Sequence, residues 1–103
     1  MASGRLGIAD LSASTNTTVY TVPASVFAVV NVNLCNRNAT SVTVRIAAAA
    51  TSSPANSEYI EFGATIPANG VLERTGIVMS TTNQLVVWAS AVGVSAQVFG
   101  VEA

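Results

Sequence analysis

The chain has 103 residues, enough for one domain and too few for two. Half of it is hydrophobic, and only 9% is charged against a typical ~25%: four arginines, five acids, no lysine and no histidine. That balance offers no basic field to a phosphate backbone and no histidine general base or metal ligand, and it leaves little repulsion between copies, so it argues against nucleic-acid binding and for a molecule that does not stay a free monomer.

The opening "MASGRLGIADL" lacks the apolar stretch of a signal peptide, and no apolar run approaches the ~20 residues of a membrane helix. Cytoplasmic synthesis and no membrane partner are expected. Residues 1–14 carry little core pattern beyond a weak strand over 5–11. They are expected as an N-terminal arm that reaches a neighbour and orders on assembly, ahead of a single domain over 15–103. Residues 18–22 read as a short strand ending at Pro23, which cannot donate to a ladder. The strongest strand covers 27–35: Val30, Val32 and Leu34 point one way, and Asn31, Asn33 and Cys35 the other. "NRNATS" supplies a turn. Val42, Val44 and Ile46 then alternate with Thr43 and Arg45, so the pair reads as an antiparallel hairpin with one buried face.

"AAAATSSPANSE" continues the strand into a loop, since Ser, Pro and Asn follow the alanines at once. Residues 58–62 alternate as a strand. "IPANG" is a turn, 71–79 a strand bent near Gly76, and "STTNQ" another turn before two strands, 85–90 and 94–101, around "AVG". About eight strands and no amphipathic helix predict an all-β fold, a single antiparallel β-sandwich or jelly-roll-like domain, with a compact barrel as the alternative.

No catalytic, cofactor or metal constellation emerges. Cys35 has no histidine partner and reads as a small, semi-buried hydrophobe. Glu58 and Glu61 are three apart, on opposite faces of a strand, and neighbouring Glu73 and Arg74 also diverge. Asp10 and Glu102 lie near the two ends. No acid-rich loop suggests calcium, "GRLG" is too short for a phosphate loop, and the acceptor patterns at Asn16 and Asn38 fit an Asn/Thr-rich chain by chance. Trp88 stays open between core, interface and ligand platform. If Leu85, Val87 and Ala89 face inward, it faces out with Val86.

The hairpin's outward residues are neutral apart from Arg45. A strand face in water carries Lys and Glu at no desolvation cost, whereas a face packed on another protein cannot. Asn and Thr hydrogen-bond across an interface and lose less when dried. Asn31, Asn33, Thr43, Arg45 and Trp88 are therefore the candidate interface residues.

"YTVPASVFAVVNVNLCNRN", "VTVRIA", "YIEF", "IPANGVLERTGIVMSTTNQLVVWAS" and "VSAQVFGVE" together resemble small virion structural proteins of tailed phages, cyanophages among them, over roughly residues 19–102. "ANGVLERTGIV" and "NQLVVWAS" are the most specific pieces. The resemblance implies a non-enzymatic β-sandwich that serves as capsid decoration (cement) or in tail, neck or fibre assemblies. A short chain without fibre repeats points to the first: a homotrimer clamping major capsid subunits on the virion surface, without cofactors. A tail-associated protein is the second reading and a small carbohydrate-binding adsorption module the third.

Overall fold

The computed structural model describes residues 2–103. Eight strands follow one another: β1 (Ser3–Asp10), β2 (Thr17–Thr21), β3 (Ala28–Asn36), β4 (Val42–Ala49), β5 (Tyr59–Ile66), β6 (Val71–Met79), β7 (Gln84–Ala89) and β8 (Val94–Glu102). A single 3-10 turn, Asn56–Glu58, interrupts the loop before β5. The strands form two four-stranded antiparallel sheets, β1-β8-β3-β6 and β2-β7-β4-β5. The chain passes from one sheet to the other at every connection except β4 to β5, which is jelly-roll topology. The expected all-β sandwich is thus the observed class.

The strands themselves lie close to where alternation places them, but one pairing differs. β3 and β4 are not a hairpin: β3 pairs with β6 and β8, and β4 with β5 and β7. Period-2 alternation records that each strand buries one face. It is equally satisfied by strands side by side and by strands stacked across a core. Here the inward residues Val30, Val32 and Leu34 of β3 share one core with Val44 and Ile46 of β4. Asn36 fastens the connection. Its side chain is fully buried, and its Nδ2 donates towards the carbonyls of Thr40 (2.9 Å), Pro67 (3.1 Å) and Ile66 (3.2 Å). Its Oδ1 accepts from the Asn38 amide at 2.9 Å. A residue read as part of a turn is therefore the last of β3 and a polar clasp between layers.

The stretch expected as an arm also lies differently. β1 is in register with β8 from Ser3 opposite Val101 to Asp10 opposite Ser95, and Leu11 beyond it is buried in the core. Leu6 is an extra residue between Arg5 and Gly7, a bulge that breaks the alternation and hides the strand from a pattern reading. Met1 lies outside the described residues.

Bulges recur at every edge. Edge strand β2 has its register shift at Val19, so that consecutive Val19 and Tyr20 are both buried. In β6, Thr75 and Gly76 together oppose Asn31, whose Oδ1 accepts the Gly76 amide at 3.0 Å. In β5, Ile60 and Gly63 are unpaired extras, the latter at φ +80°. All four edge strands are thus kinked, a device that discourages edge-to-edge pairing.

The open sides of the sandwich are closed differently. β1 approaches β2 so closely at Gly7 that a Cβ there would collide with the Val19 carbonyl. On the far side Arg74 of β6 forms an ion pair with Glu61 of β5. Near the termini the Tyr20 hydroxyl donates to Glu102 Oε2 at 2.6 Å, tying β2 to β8. Burial, then the bond to and the charge of Glu102, push the Tyr20 pKa well above its ordinary value. The bond from Tyr20, followed by one from the Ala2 amide, lowers that of Glu102.

Candidate functional site

The two sheets present two outer faces, and the candidate residues divide between them. Asn31 and Asn33 lie on the face of β1-β8-β3-β6. Thr43, Arg45 and Trp88 lie on the opposite one.

On the first face, outward residues line up in rows across the strands. Val78, Val29 and Val101 form one row, and Val71, Cys35, Ser95 and Asp10 another. Between them run Asn31, Phe99 and Arg5, then Glu73, Asn33, Gln97 and Ile8. Ile8, Val71, Val78, Phe99 and Val101 are exposed, Val78 the most at 71%. Asn31 does not wait for a partner, because its oxygen already holds the β6 bulge. Arg5 and Glu73 sit at opposite edges, leaving the centre of the face without charge.

The second face is built up in layers. Phe62 of β5, Arg45 of β4 and Trp88 of β7 are register neighbours. The Arg45 guanidinium carbon lies 4.3 Å from each ring centroid, so the cation is stacked between them. Such a contact stabilises by about 0.5–2 kcal/mol. Arg45 Nε is buried without a hydrogen-bond partner. Trp88 is therefore half-buried on the outside, while Leu85, Val87 and Ala89 point into the core. In the next row Tyr59 pairs with Ala47 and Ala47 with Val86. Ala47, Ala49 and Val86 are buried although they point outward, with Tyr59 packed on them. The Glu58 carboxylate holds the returning loop: Oε1 accepts the Ala55 amide at 2.8 Å and Oε2 the Ala50 amide at 3.0 Å.

Strict alternation would send Tyr59 and Phe62, three apart, to opposite faces. The bulge at Ile60 brings both outward. Their rings meet edge-to-face, 4.9 Å apart at 82°. With Asn56 they line a cavity of about 410 Å³. Asn56 and Phe62 were not singled out from sequence. The one signal available was Ala47 across from Tyr59 and Arg45 across from Phe62, and it is readable only once the register is known.

Among the described residues no cluster of three His, Cys, Asp or Glu side chains could hold a metal ion. Among the same residues no helix is long and apolar enough to cross a membrane.

Comparison with models of protein families gives no match, and neither does comparison with curated proteins. Among solved structures, the chain is similar to one described as the cyanophage Pam1 capsid asymmetric unit. The TM-score is 0.41 at 13% identity, covering 96% of this chain and 86% of that one.

Proposed function

We propose that the protein is a non-enzymatic structural component of a tailed-phage virion, a capsid decoration (cement) protein that works as a homotrimer bridging major capsid subunits. The observation that carries this reading is the outer face of β1-β8-β3-β6, whose charges are confined to its edges and whose Ile8, Val71, Val78, Phe99 and Val101 stand in solvent. Val78, Val29, Val101 and Phe99 lie in the same or adjacent rows at one end of this face, and exposed apolar surface of this kind marks interaction sites. The bulged edges favour association through faces over strand addition. The sequence likeness to small virion proteins over residues 19–102 supplies the setting.

Mechanically, a decoration protein stabilises a shell by removing apolar surface from water across a subunit boundary, about 25 cal/mol per Å². One copy's contact is modest. Three linked copies engaging three neighbouring sites gain through effective concentration. With so few charges at the contact, attachment should change little between low and moderate salt.

Quantitative mass spectrometry of heads and tails separated from the virion tests the reading. Hundreds of copies in the head fraction are expected. Tens of copies or fewer, in the tail fraction, would overturn the decoration role in favour of a neck, baseplate or fibre component.

A further inference from the structure

We propose that the cavity beside the 3-10 turn is a carbohydrate site, in which a neutral pyranose stacks on the aromatic corner formed by Phe62 and Tyr59 while the Asn56 amide meets its hydroxyls. It lies on the face opposite the proposed capsid contact, so a docked protein would present it outward.

A pyranose has an apolar C–H face and a rim of hydroxyls. A matching site needs an exposed, rigid aromatic wall, a polar group able both to donate and to accept, and no strong field. Phe62 is 62% exposed, and its ring is fixed from behind by Arg45, which Trp88 holds in turn. Tyr59 stands nearly perpendicular to it, so the two rings form a corner and not a flat patch. Asn56 contributes an amide with both donor and acceptor capacity. The volume of about 410 Å³ falls within the range of small-molecule pockets.

Other occupants fit less well. An anion would need a free cation, and the Arg45 guanidinium is committed to two rings. A nucleotide would need more positive charge than this face carries. A flat protein contact would leave the corner unfilled. One sugar ring of about 12 heavy atoms should bind with a Kd on the order of 1 mM.

The test uses the full chain. Saturation-transfer NMR and titration would be run with the methyl glycosides of glucose, galactose, mannose and N-acetylglucosamine and with the disaccharides cellobiose and chitobiose. Saturable binding of at least one probe is expected. Phe62→Ala should weaken it tenfold or more while the chain still melts cooperatively at a somewhat lower temperature, Asn56→Ala several-fold, and Tyr59→Phe little. No saturable binding of any probe at tens of millimolar would overturn the proposal. So would binding indifferent to Phe62→Ala. If Phe62→Ala instead abolishes attachment to particles while no sugar binds, the corner is a protein contact and the carbohydrate assignment is wrong. Because sugar binding is read on the isolated chain, its failure is separate from failure of the decoration role.

Discussion

The two outer faces come from the same kind of sequence, yet they are different surfaces. On β1-β8-β3-β6 the outward Ile8, Val71, Val78, Phe99 and Val101 side chains stand in solvent. On β2-β7-β4-β5 the outward Ala47, Ala49 and Val86 are buried. Among the described residues the β4–β5 connection there is the one that stays within a sheet, and Glu58 holds it through the Ala50 and Ala55 amides. Outward Ile8, Val71, Val78, Phe99 and Val101 are thus exposed on one side, whereas on the other Ala47, Ala49 and Val86 form a small second core beside the exposed Phe62. What separates them is the Tyr59 ring packed across small neighbours on the second face.

That contrast can be broken or sharpened by substitution. The largest effect is expected at neither face but between them. Val32→Asp places a charge in a fully buried site facing both sheets and should abolish folding, read as loss of cooperative melting by circular dichroism. Asn36→Ala should cost about 2–4 kcal/mol in chemical denaturation, since it leaves several buried backbone groups of the β3–β4 connection without their partner.

Arg45→Ala and Val78→Asp then set the faces against each other. Arg45→Ala unstacks Phe62 and Trp88 and should lower stability by about 1–3 kcal/mol without altering self-association. Val78→Asp should change stability by less than about 0.5 kcal/mol yet reduce the oligomer seen in light scattering at micromolar concentration. Equal effects of both substitutions on both readouts would erase the distinction.

The smallest effect belongs to Tyr20 and Glu102. The Glu102 pKa is lowered in the fold, so its contribution is present above its ordinary value of 4.5 and is lost as pH falls through the folded value. The Tyr20 pKa is raised, so its contribution is present below the ordinary 10.0 and is lost as pH climbs beyond it. Tyr20→Phe removes the contribution present between these limits, so the melting temperature should drop slightly at neutral pH while the fall towards either extreme becomes shallower.

Several elements were legible in the residues alone. Val30, Val32 and Leu34 against Asn31, Asn33 and Cys35 defined β3 and its buried face, and Pro and Gly punctuation separated the strands, whereas Trp88 stayed open between core and surface until the structure put Leu85, Val87 and Ala89 in the core. Alternation is a local property, set by the pleat, and it survives in any tertiary setting. Only the tertiary structure decided which strands are partners, because a strand facing its neighbour across a core shows the same period as one beside it in a sheet. It alone placed residues 3–10 as an edge strand, through a bulge at Leu6 that no period reveals. It alone gathered Phe62, Arg45, Trp88 and Tyr59, since bulges at Ile60 and Gly63 each change which side the next residue faces. Burial pattern is written along the chain; register is fixed between strands, by backbone bonds to residues far away in sequence.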